Sequence, residues 1–188
     1  MRLFLAVELP ELLRAAVVAV QERLRPTEHG WRWVRPEGIH LTLRFLGEVA
    51  EARLPELAER WRAAAAGADI PDIQVSDLGT FPPRGRPRVL WVGLQDRSGG
   101  ALAALATALE SEARAAGFAA EDRPFAPHLT LARVAADGKP RKPEIEVGSL
   151  GSFRAQSLTL FRSVPGRGGA VYTALERYPI GRALGCGT

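Results

Sequence analysis

One tetrapeptide, His-Leu-Thr-Leu, occurs twice in this 188-residue chain, at His40–Leu43 and at His128–Leu131, and only one further histidine, His29, exists. Polar and apolar residues alternate in each copy. That period of two describes a strand with His and Thr on one face and both leucines on the other. Two such strands side by side would turn a pair of imidazoles and a pair of hydroxyls into a common space, a set that can hold a phosphate and move protons on either side of it. A single His-x-Thr would ordinarily be a satisfied strand residue. Two matched copies in a histidine-poor chain, at similar depth in its two halves, point to a shared site.

The surrounding pattern is mixed. A strand is expected over Arg2–Val7, then a helix from Pro10 through Leu13, Val17, Val20 and Leu24 that stops before Pro26. Strands follow at Trp31–Val34 and Ile39–Phe45 around the turn Arg35-Pro36-Glu37-Gly38, with a helix over Arg53–Ala66. The second half repeats the grammar. Strands are expected at Ile73–Leu78 and Arg88–Leu94, a helix over Leu102–Ala116, the second motif strand at His128–Val134, and strands at Glu144–Val147, Leu158–Ser163 and Val171–Arg177. This predicts an α+β fold of two pseudo-symmetric lobes, with two antiparallel sheets lining a central cleft and helices outside. Residues 1–180 form the single bilobed domain, and 181–188 a loose, glycine-rich tail.

Composition narrows the class. The lone cysteine, Cys186, has no partner for a disulfide, and no stretch reaches the ~20 apolar residues of a membrane span, so a cytoplasmic, monomeric protein away from membranes is expected. Three histidines, one in the turn at His29, offer no three-ligand metal cluster and no cofactor motif is present. The net charge of +4 comes almost wholly from arginine, with Lys139 and Lys142 the only lysines. An Arg-rich surface suits phosphate-bearing partners, although a GC-rich coding bias would leave the same mark.

Further positions join the candidate site. Arg44 falls by alternation on the His40–Thr42 face, where it can meet a phosphate or simply be solvated at a strand end. Phe125 and Phe45 can wall a base or ribose, with core packing favoured for Phe45. Trp91 stands beside the loop Phe81–Pro87 and is the one tryptophan suited to stacking on a base. Arg84, Arg86 and Arg88 would line one side of that segment if it is extended, forming a basic rim for RNA.

Residues 2–6, 33–47, 125–133 and 160–163 together resemble the RNA 2′,3′-cyclic phosphodiesterases, also called 2′-5′ RNA ligases, of the two-histidine (HxTx) phosphoesterase superfamily. The similarity spans about residues 2–180 in the family's order. It implies a bilobed fold, metal-independent hydrolysis of an RNA-terminal 2′,3′-cyclic phosphate to a 2′-phosphate, His40 as general acid and His128 as general base, and Thr42 and Thr130 on the phosphate. It also implies a phosphate clamp at Arg133. Strict alternation puts Arg133 with Leu129 and Leu131 on the wrong face, and only a twist or bulge would turn it inward. The chemistry stands without the name, because imidazoles with pKa about 6.5 can serve as acid and base near neutrality. Other uses of the same residues stay open: 2′-5′ ligation, hydrolysis of small cyclic nucleotides, or an RNA- or nucleotide-binding module without turnover.

Overall fold

The computed structural model describes residues 1–166 and 169–181. The expected tail beyond 181 lies outside the described residues. Among these described residues nine strands, β1 (Arg2–Glu8), β2 (Trp31–Trp33), β3 (His40–Glu48), β4 (Asp72–Phe81), β5 (Val89–Asp96), β6 (His128–Val134), β7 (Gly151–Arg154), β8 (Ser157–Val164) and β9 (Val171–Pro179), join three long helices. These are α1 (Glu11–Leu24), α2 (Leu54–Gly67) and α3 (Ala101–Ala115).

All strand pairings are antiparallel, and the order β7-β4-β5-β6-β3-β1-β8-β9 makes one sheet, with β2 paired to β6 off that path. The two sheets expected from the sequence are therefore continuous. Their junction is narrow: β3 and β6 share only the pair Leu41↔Leu129, so each His-Leu-Thr-Leu strand is the innermost member of its own four-stranded half.

The motif leucines explain why these strands seat where they do. Leu41, Leu43, Leu129 and Leu131 are all buried in the main hydrophobic core, together with Leu13, Val17 and Val20 of α1, Trp61 of α2 and Leu105 and Leu109 of α3. Burying each such side chain is worth roughly 1.5–3 kcal/mol, so the helices clamp the leucine face. His and Thr are left on the other face. A small second cluster, Phe4, Ala6 and Phe161 with Tyr172 and Ala174 against it, occupies that opposite side.

One expected strand is displaced. Glu144–Val147 alternates but forms no ladder; the strand is Gly151–Arg154, paired with Asp72–Val75. The Val147 carbonyl accepts from the Asp77 N–H of β4 at 3.2 Å. Asp77 is an extra residue in β4, with φ 65°, at the register shift between Ser76 and Leu78 in the pairing with β5. Among the described residues no helix is long and apolar enough to cross a membrane.

Candidate active site

His40 and Thr42 start β3, and His128 and Thr130 start β6; all four are partly buried on the face away from the helices. The Nδ1 of His128 lies 2.7 Å from the Ala126 carbonyl, two residues earlier. A carbonyl only accepts, so Nδ1 carries the hydrogen and Nε2 keeps its lone pair. At His40 the backbone of Gly38, again two residues earlier, acts to raise the ring's pKa. Neither threonine hydroxyl has a protein hydrogen-bond partner among the described residues, which leaves both able to donate to a ligand.

Register shifts decide which residues join them. In β3, Ala6 pairs Thr42 and Leu5 pairs Arg44, so Leu43 is an unpaired bulge residue. Leu43 and Arg44 then both turn to the helix side and Phe45 turns to the imidazole face. The expectation that Arg44 meets the phosphate is therefore corrected. Its side chain is only 5% exposed, Nε lies 2.6 Å from Glu110 and Nη1 2.7 Å from Glu121, and Nη2 donates to the Ala119 carbonyl. Phe45 is corrected in the opposite sense. It is 54% exposed, with its ring 5.9 Å from Phe4, and it borders the site.

The same event in β6 brings Arg133 in. Trp91 pairs Thr130 and Leu90 pairs Ala132, leaving Leu131 as the bulge residue; Leu131 and Ala132 are both buried and Arg133 takes the imidazole side. Its charge acts on both rings. Burial first, then Arg133, pushes His40 down to about 4, opposed by the Glu8 carboxylate. His128 is also lowered, by burial first, with its Ala126 hydrogen bond opposing and Arg133 adding to the fall. The bulge itself is braced from the core: the fully buried Gln21 of α1 donates from Nε2 to the carbonyls of Leu131 and Val34, both at 2.9 Å.

The two flanks differ. Around His40 stand Phe4, stacked at 4.8 Å between centroids, Phe161 at 5.8 Å, and Tyr172 edge-on at 5.1 Å. Glu8, opposite His40 in register, accepts from Thr159 Oγ1 and Arg177 Nε, each at 2.8 Å. Beside His128 lie Phe81, 5.0 Å and edge-on, and Trp91 at 6.5 Å. Trp91 lies flat because Gly79 is its cross-strand neighbour; a Cβ there would sit 2.1 Å from the indole. Phe125, 36% exposed, precedes this flank in the segment that leads to His128.

Of the arginine rim, less is brought together. The segment 82–86 is a run of bends rather than extended, and Arg86 donates to the Gly138 carbonyl at 2.7 Å. Arg88 is exposed and sits in a bend just before β5, where its backbone N–H donates to the Phe81 carbonyl at 2.7 Å. Sequence reading passed over Phe4, Glu8, Phe81, Phe161 and Tyr172, which face the imidazoles from flanking strands. Only the alternation of β1, β8 and β9 hinted at their common face. His29 is exposed in its turn.

A sheet whose two halves each deliver a His, a Thr and a bulge-turned residue to one face defines a duplicated two-histidine phosphoesterase, and the family model for LigT-like phosphoesterases matches this chain twice, over residues 7–91 and 92–172. The chain belongs to that family. It is 40% identical to the RNA 2′,3′-cyclic phosphodiesterase of Thermus thermophilus, covering 96% of this chain and 90% of that one, and 35% identical to the Escherichia coli protein of the same name, over 95% and 96%. Among solved structures, one from Thermus thermophilus superposes with a TM-score of 0.82 at 36% identity, covering 96% of this chain and 98% of that one. The Escherichia coli LigT complex with 3′-AMP gives 0.80 at 30% identity, over 95% and 97%.

Proposed function

We propose that this protein is an RNA 2′,3′-cyclic phosphodiesterase that opens a terminal 2′,3′-cyclic phosphate to a 2′-phosphate and a free 3′-hydroxyl. The observation that carries the reading is the pairing of two imidazoles, on adjacent strands and under the influence of one arginine. It is supported by full-length relatives that bear this name, and by the nucleotide bound in a related structure.

His128 is the general base that takes a proton from water, and His40 the general acid that protonates the departing ribose oxygen on the other side of phosphorus. Thr42 and Thr130 donate to the non-bridging oxygens as these gain charge, and Arg133 holds the phosphate. Burial and the Arg133 charge lower both rings and so favour their neutral forms. An anionic phosphate offsets the Arg133 charge, and Glu8, which acts to raise His40, favours loading the proton onto that ring. Phe125, Phe45 and Trp91 border the ribose and base. These side chains provide every proton transfer and hydrogen bond that the reaction requires, so no metal or cofactor enters. Both motifs come from one chain, so a monomer suffices.

The deciding experiment incubates the protein, stripped of metals, with an RNA ending in a 2′,3′-cyclic phosphate. The expected product gains about 18 Da, the mass of one water, and loses its phosphate to a phosphatase. An unchanged cyclic end, with folded protein, would overturn the proposal.

A further inference from the structure

A regular β6 would place Arg133 with Leu129 and Leu131 on the helix face, and the arginine reaches the imidazoles only because Leu131 has no partner on β5. The bulge therefore has to be held. The Leu131 carbonyl is satisfied from the β2 side instead, where the Val34 N–H donates to it at 2.8 Å and Gln21 Nε2 at 2.9 Å.

Gln21 uses its other N–H on the Val34 carbonyl, also at 2.9 Å. One amide thus ties two strands together where β6 leaves its bulge, since the β2 ladder pairs Trp33 with Ala132 and Arg32 with Arg133. Both contacts are carbonyls, which only accept, so the amide nitrogen faces them and the oxygen turns away. That oxygen is buried and has no partner among the described residues. Burying it costs stability, and the position belongs to the apolar face of α1, with Val17 and Leu24 buried beside it. A glutamine there is a poor choice for packing alone.

We infer that Gln21 is a positioning residue for the phosphate site: its amide locks the Leu131 bulge and so holds the Arg133 guanidinium on the imidazole face. The catalytic consequence rests on the reading of Arg133 as the phosphate clamp. Gln21 reaches β6 from the helix side of the sheet and touches no reacting atom.

The charges around His40 supply a readout that packing alone would not move. Burial lowers its pKa most and Arg133 next; Glu8 of β1, itself held by Arg177 of β9, opposes them, as does the Gly38 backbone, and His128 of β6 adds a smaller fall. Tyr172 of β9 lies edge-on to the ring. If the bulge slips, Arg133 withdraws and His40 titrates higher.

The test is Gln21→Met, which keeps the length and removes both donors, with Gln21→Leu as a second form should the first not fold. In the ligand-free protein, NMR titration of the His40 ring should move up from about 4 toward the ordinary histidine value. Arg44→Ala, which disturbs a buried network on β3 and leaves the β6 bulge alone, should not move it. On a 2′,3′-cyclic nucleotide kcat/KM should drop about tenfold in Gln21→Met, and adding Gln21→Met to Arg133→Ala should cost less than about twofold more. A His40 titration unchanged in folded Gln21→Met, or losses that multiply in the double variant, would overturn the inference. Full activity in Arg133→Ala would overturn its catalytic half together with the reading of the clamp, and a raised His40 titration in Gln21→Met would then still support the hold of Gln21 on Arg133.

Discussion

Two arginines near the ends of the motif strands should respond to truncation in opposite ways, and the contrast tests the register shifts directly. Arg44 is 5% exposed, paired with Glu110 and Glu121, and bonded to the carbonyls of Phe45, at 2.5 Å, and Ala119. Arg44→Ala strands two carbonyls and opens a void under α3. Hydrogen bonds that involve a charged group are worth about 1.5–3 kcal/mol each, but Glu110 and Glu121 are 29% and 41% exposed and recover solvent. A net loss of about 3 kcal/mol follows, which lowers Tm by roughly 6–12 °C in a domain of this size. Because Arg44 faces the helices, KM should stay within about twofold. Arg133→Ala should leave Tm nearly unchanged and cost about a hundredfold or more in kcat/KM, the usual effect of removing a preorganised donor to a developing oxyanion. Calorimetric melts and initial rates on a 2′,3′-cyclic nucleotide would be compared for both variants. A tenfold rise in KM at unchanged Tm for Arg44→Ala would refute the reasoning.

His40→Ala and His128→Ala should each slow turnover by about two to four orders of magnitude, with the double variant little worse; near wild-type rates in either folded single variant would remove that ring from the mechanism. Thr42→Ala and Thr130→Ala should be milder, about ten- to a thousandfold in kcat/KM. Turnover should survive excess EDTA, and a loss reversed by zinc or manganese would sink the metal-free mechanism. Stability should fall between about pH 6.5 and pH 4, because the unfolded chain binds a proton at His40 that the folded state, with its pKa near 4, does not. The loss attributable to His40 is on the order of 3 kcal/mol, and His40→Asn should remove it from pH-dependent urea melts.

The duplicated His-Leu-Thr-Leu by itself determined which residues share a face, because alternation within four residues is a local property of any strand. The leucines then oriented both strands, since only one face could be buried under α1, α2 and α3. The helices were legible for the same reason: spacing such as Leu13, Val17, Val20 and Leu24 needs no partner to be read. The fates of Arg44 and Arg133 were not legible. Alternation predicts the reverse of both, and it fails because Leu43 and Leu131 are extra residues relative to β1 and β5. A bulge belongs to a pair of strands, so neither strand alone encodes it. The strand expected at Glu144–Val147 fails for a related reason, since alternation shows no partner and the edge of β4 is taken by Gly151–Arg154. Tertiary structure alone also decided that Phe4, Glu8, Phe161 and Tyr172 surround one imidazole, and Phe81 and Trp91 the other. These residues come from strands far apart in the chain, and only sheet order and register bring them to one face.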